Sequence, residues 1–130
     1  MNKRFLYYWL PLLIWISGIF LVSSIPSIPS KSFPVEQIIP MEYPLHLTAF
    51  FVLFLLFYRL LEHKNKPLPL RNIVLFSIIL TMAVAIAKEC WQLLIPSRFF
   101  SMKDILVDGS AAILAMFALR IRALILTRMQ

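Results

Sequence analysis

The sequence predicts an all-α integral membrane protein, a four-helix bundle with both termini cytoplasmic. Three observations lead there. Of the 130 residues, 61% are hydrophobic, and the mean hydropathy is +0.84. Four apolar runs have the length a bilayer needs. The basic residues gather at the ends of those runs, on alternating sides. A soluble domain carries about 45–50% apolar residues and needs a polar exterior. Here the charged side chains, 13 Lys and Arg with 6 Asp and Glu, are bunched at segment ends. A pI near 10.0 would ordinarily raise nucleic acid as a partner. Because the basic residues flank apolar runs and form no stripe, the partner is the lipid bilayer and not nucleic acid. The length fits a single membrane domain, residues 1–130.

A hydrocarbon core of about 30 Å takes about 20 helical residues. Inside it every backbone polar group must be paired within the segment, so the runs are helices. The first span covers residues 5–22. A cleaved signal peptide is the competing reading, with Lys3 and Arg4 in front and small residues at Val22-Ser23-Ser24. Against cleavage, the run is longer than a secretory core of about 7–15 residues and carries Tyr7, Tyr8, Trp9 and Trp15. Pro11 belongs to the first turns or makes a mild kink. Residues 23–44 hold Pro26, Pro29, Pro34, Pro40 and Pro44, which interrupt regular helix. The second span covers 45–61, and a turn with Pro67 and Pro69 follows it. The third covers 73–95. Pro96-Ser97-Arg98-Phe99-Phe100 leads to Ser101-Met102-Lys103-Asp104, whose S-x-x-D form caps a helix start. The fourth span covers 105–126. The one cysteine, Cys90, reads as a small packing residue.

Charge orients the bundle. With the N-terminus, the turn after the second span and the C-terminus inside, nine basic residues face the cytoplasm against one acid, Glu62. The other side then carries four basic residues, Lys31, Lys88, Arg98 and Lys103, against five acids. Short-loop Lys and Arg favour the cytoplasmic side.

That orientation places the polar side chains of three spans at one end, the outer one. His46 opens the second span, Lys88, Glu89 and Gln92 lie in the outer third of the third, and Asp104 and Asp108 begin the fourth. Each ionisable group at membrane depth costs about 2.5–3.5 kcal/mol, and such groups face the bundle interior or water. Glu89 and Gln92 share a helix face, continued by Thr81 and Ala85. Asp104 and Asp108 head a seam of small residues, Ala111, Ala115 and Ala118, that suits close helix approach. Both carboxylates would then point inward, with Arg98 near enough to compensate them. Plainer roles compete: Asp104 as a helix cap, Glu89 in a structural ion pair with Lys88 or Arg98, His46 as an interfacial histidine. Trp91, Phe99 and Phe100 suit an aromatic belt, and Trp9 and Trp15 suit anchors.

The run Lys88-Glu89-Cys90-Trp91-Gln92, Pro96-Ser97-Arg98, Ser101-Met102-Lys103-Asp104 resembles the E-x-x-Q … P-x-R … S-x-x-D signature of the VanZ-like membrane protein family. Ser23-Ser24-Ile25-Pro26 is similar to the S-x-P close of that family's first helix, and His46 takes the place of its histidine. The likeness extends over roughly residues 15–115. The chain departs where the family often has Asp-Lys (here Glu42-Tyr43), Asp (here Lys88), and Asn then Gly (here Asp108 and Ala111). The resemblance implies a bacterial inner-membrane protein of the cell envelope, and its namesake is linked to low-level resistance to teicoplanin-type glycopeptides. A lipid-linked cell-wall intermediate or a glycopeptide is the partner it implies.

Three functions fit these residues. The first is a non-enzymatic envelope accessory protein that binds a lipid-linked or peptide ligand through His46, Glu89, Gln92, Arg98, Asp104 and Asp108. No H-E-x-x-H, G-x-S-x-G, P-loop or Cys/His metal spacing is present. The second is an intramembrane enzyme acting on a lipid-phosphate or head-group substrate. There His46, Glu89, Asp104 and Asp108 are the catalytic candidates, and two carboxylates plus a histidine could hold a divalent cation. The third is a small transporter subunit, which the apolar cytoplasmic half disfavours. The sequence names no cofactor and no oligomeric state.

Overall fold

The computed structural model describes residues 3, 5–25, 42–63, 68–96 and 98–129. Among them there is no strand. A π-helical segment, Phe5–Trp9, runs into α1 (Leu10–Ser23), followed by α2 (Glu42–Glu62), α3 (Leu70–Gln92) and α4 (Met102–Arg128). All four helical stretches are long and apolar enough to cross a membrane. The proline-rich stretch of residues 26–41, Lys31 within it, lies outside the described residues. So do Arg4, the centre of the α2–α3 turn at 64–67, and Ser97.

Prolines set the helix bounds more closely than the apolar runs do. Pro11, second in α1, has no N–H to give, and its ring crowds the carbonyl of Tyr7 four residues back. The wide turn of Phe5–Trp9 sits at that point. Pro44 is tolerated in the first turn of α2 because the N–H groups there lack helical partners anyway. Pro69 caps α3, so that helix begins at Leu70 and not at Ile73. It ends at Gln92 and not Ile95, since the residue before Pro96 is steered away from helical geometry. Ser101 caps α4 as its S-x-x-D form predicts, its hydroxyl accepting from the Asp104 N–H at 3.3 Å.

The helices run up, down, up, down. Tyr8 of the first helical stretch stacks on His63 beyond the α2 end, with ring centroids 4.8 Å apart, and the Arg59 guanidinium lies 4.1 Å from the Tyr7 ring centre. At the opposite end the Trp91 indole donates to Ser24 Oγ at 2.9 Å, joining the ends of α1 and α3. Core packing sets bulk against smallness. α2 contributes Phe50, Leu53, Phe54 and Phe57, whereas α3 offers Ser77, Thr81 and Ala85 and α4 offers Ala111, Ala112 and Ala115. Small residues let helix backbones approach in lipid, and here they make room for the α2 aromatics.

Two expectations are corrected. The small seam of α4 is buried only through Ala115; Ala118 is exposed. The 27 residues of α4 span roughly 40 Å, against roughly 32 Å for the 21 of α2, so the end of α4 projects past its neighbours. Cys90 lies on the exposed face of α3 and packs nothing in the core.

Candidate functional site

Where α2 and α4 begin and α3 ends, polar side chains from all three helices meet inside the bundle. Lys88 stands at the centre, 1% exposed. Its ammonium lies 2.8 Å from Glu89 Oε1 and 2.9 Å from Asp108 Oδ2, both carboxylates being fully buried. It also lies 3.1 Å from His46 Nδ1, and Asp108 Oδ1 is 3.0 Å from the same nitrogen. Nδ1 thus faces an acceptor, Asp108, and a donor, Lys88, and serves one at a time: protonated it donates to Asp108, bare it accepts from Lys88. In either state Lys88 gives protons to Glu89 and Asp108, and His46 Nε2 lies on the far side of the ring from them. Asp104 Oδ2 is 4.0 Å from that Nε2. The Lys88 ammonium also lies 5.4 Å from the centre of the Phe50 ring.

Glu89 ties this centre to the α3–α4 connection. Its second oxygen accepts the Ser101 N–H at 2.8 Å, and the Gln92 amide, with its nitrogen turned inward, lies 3.3 Å from both Glu89 oxygens. Among the described residues every buried side-chain nitrogen and oxygen has a partner. That completeness matters in a bilayer, where an unpaired buried polar group costs several kcal/mol. Below the cluster, the α3 polar face continues as Thr81 and Ser77, whose hydroxyls donate back to the carbonyls of Ser77 and Ile73. Beyond them the core is apolar, with Phe57, Leu61 and Ile73.

The six residues singled out as ligand-binding candidates divide. His46, Glu89, Gln92 and Asp108 converge with Lys88, and Asp104 borders the group. Arg98 does not compensate the carboxylates as expected: its guanidinium donates to the Ile25 carbonyl at 2.9 and 3.2 Å and fastens the end of α1. Lys88 takes that compensating role. Among the described residues no group of three or more His, Cys, Asp and Glu side chains is arranged to hold a metal ion. The Lys88 ammonium stands between the two carboxylates where a cation would otherwise lie.

One edge of the cluster opens into a cleft of about 450 Å³ between α1 and α2. Ile14, Trp15, Gly18 and Val22 line it from α1 and Leu45, Ala49 and Phe50 from α2, with His46 and Lys88 at its polar end. The Trp15 indole crosses the interface and donates to the Ala49 carbonyl at 2.9 Å. Only helix-facing use of Trp15 is seen, whereas Trp9 and Trp91 lie at exposed positions.

No family model matches this chain, and no curated protein or solved structure matches it either.

Proposed function

We propose that this chain is an accessory protein of the bacterial cytoplasmic membrane, of the VanZ-like type, that binds a lipid-linked or peptide ligand of the cell envelope. In this reading both termini are cytoplasmic and the His46–Lys88–Asp108 cluster faces outward. The observation that carries it is the meeting of His46, Lys88, Glu89 and Asp108 from three helices at the head of an apolar cleft. A buried ionic group that only held helices together could be replaced by apolar packing at little cost. Ionisable groups within membrane spans mark ligand or ion sites by default. The positive-inside count and the E-x-x-Q, P-x-R and S-x-x-D residues support the orientation and the family type. Contribution to teicoplanin-type glycopeptide resistance belongs to the same reading.

A second reading, an intramembrane enzyme acting on a lipid-phosphate or head-group substrate, is favoured by one feature. Asp108 contacts His46 Nδ1 at 3.0 Å, which orients the imidazole and, when that nitrogen carries the proton, leaves Nε2 to act as a general base.

The test is expression in a glycopeptide-susceptible bacterium, alongside His46→Ala and Glu89→Ala at matched membrane levels. Wild type should lower teicoplanin-type susceptibility or envelope-stress sensitivity, and both variants should lose the effect. A wild-type protein without effect, or variants indistinguishable from it, would refute the proposal.

A further inference from the structure

The geometry points to the end of the bundle opposite the polar cluster as a binding surface for an anionic phospholipid, whose phosphate headgroup is held by Arg59, Arg120 and Arg122. This goes beyond the reading of the cluster and does not depend on it.

Three arginines from two parallel helices come to one level there. His46 Nδ1 and Asp108 Oδ1, 3.0 Å apart, set α2 and α4 side by side at the other end. Arg59 follows His46 by 13 residues, and Arg120 and Arg122 follow Asp108 by 12 and 14. At about 1.5 Å per residue, all three lie roughly 18–21 Å along the bundle from that contact. The two helices are still together at this depth. Tyr58 and Leu119 pack on the same cluster of Phe54, Ala112 and Ala115, and Arg59 and Arg120 are the next residues along. The rings of Tyr7 and Tyr8 lie 4.1 and 5.3 Å from the Arg59 guanidinium. Tyrosines gather at the headgroup level of a membrane, so the arginines are within reach of phosphate.

Charge selects the partner. The described residues of this end include six basic side chains, Lys3, Arg59, Arg71, Arg120, Arg122 and Arg128, against one acid, Glu62. The Tyr58 hydroxyl lies near both Glu62 and Arg122, so that acid offsets at most one of the six. Among the described residues no carboxylate comes within ion-pair distance of Arg59, Arg120 or Arg122, since every ion pair belongs to the polar cluster. The Tyr7 ring neutralises no charge on Arg59. Arginine matches phosphate oxygens with a fork of N–H donors, and basic clusters at the ends of membrane helices attract anionic headgroups. Beside Arg122, Ala118, Ile121, Ile125 and Leu126 line a shallow apolar groove of about 400 Å³. An acyl chain fits that groove and a free phosphate gains nothing from it, so the ligand is the lipid.

The experiment is native mass spectrometry of the full chain in detergent, titrated separately with phosphatidylglycerol and phosphatidylcholine of identical acyl chains. Wild type should bind phosphatidylglycerol about tenfold more tightly, and added salt should shrink the difference. Arg120→Gln combined with Arg122→Gln should reduce it to about threefold or less. Both positions are exposed and glutamine forms helix about as well as arginine, so this variant should fold. Lys103→Gln removes an exposed cation at the far end of α4 and should leave the preference as in wild type. Inorganic phosphate should displace no more phosphatidylglycerol than sodium chloride of equal ionic strength. Equal binding of the two lipids by wild type, an undiminished preference in the arginine variant, or an equal loss in Lys103→Gln overturns the proposal. Displacement by phosphate beyond the chloride control overturns the lipid assignment in favour of a free anion. None of these outcomes bears on the His46→Ala and Glu89→Ala phenotypes, which test the polar cluster alone.

Discussion

Lys88 decides the character of the polar end. Its ammonium is the shared cation for Glu89 and Asp108, and all three side chains are buried. Removing one partner of a buried ion pair leaves an uncompensated charge and costs about 3–5 kcal/mol. Lys88→Met should therefore lower thermal stability in detergent by about that much. In an Asp108→Asn background the same change should cost at least about 1 kcal/mol less, because the two residues are in contact. Strictly additive losses would show that they are not coupled. The composition of this group was largely legible in the sequence: His46, Glu89, Gln92 and Asp108 fall at one end of three spans. The part played by Lys88 was not. Neighbouring residues on a helix diverge by about 100°, so Lys88 and Glu89 are not expected to face inward together, and a long lysine near a span end commonly reaches for water. Arg98 was misread for a different reason, since a connection has no periodicity to say where its side chain points.

At the scale of the helix, α4 shows how a seam of small residues works and where it stops. Ala111 and Ala115 are fully buried, facing the bulk of α2, whereas Ala118 is turned to the exposed face of α4 and Leu119 beside it packs against the core instead. Ala111→Leu should overpack this contact and lower stability by about 1–3 kcal/mol. Ala118→Leu should stay within about 0.5 kcal/mol of wild type. Thermal unfolding of the two variants in one detergent separates the cases, and equal losses would mean that the seam does not end at Ala115. Helix bounds were legible where a breaker or cap announced them, as at Ser101. They slipped by three residues at each end of α3, because the apolar run marks the hydrocarbon layer while Pro69 and Pro96 mark the backbone. The wide turn at Phe5–Trp9 leaves no trace in hydropathy, although Pro11 stands beside it.

For the molecule as a whole, alternating helix directions bring the polar ends of α2, α3 and α4 together, with α1 fastened beside them by Trp15, Trp91 and Arg98. In the proposed orientation this end faces outward. Phe99, 82% exposed in the α3–α4 connection, offers a direct check. With Cys90→Ser as background, Phe99→Cys should react with a membrane-impermeant maleimide on intact cells, and His63→Cys only after lysis. The reverse pattern would invert the topology while leaving the bundle intact. The central claim, that separate helices turn their polar side chains toward one another within the membrane, is tested most directly by bridging two of them. In a Cys90→Ser background, His46→Cys paired with Asp108→Cys should give the fluorescent bridged product with the short bifunctional thiol reagent dibromobimane in native membranes. His46→Cys paired with Ile113→Cys, on the exposed face of α4, should not. Bridging of the second pair, or failure of the first, would contradict the account.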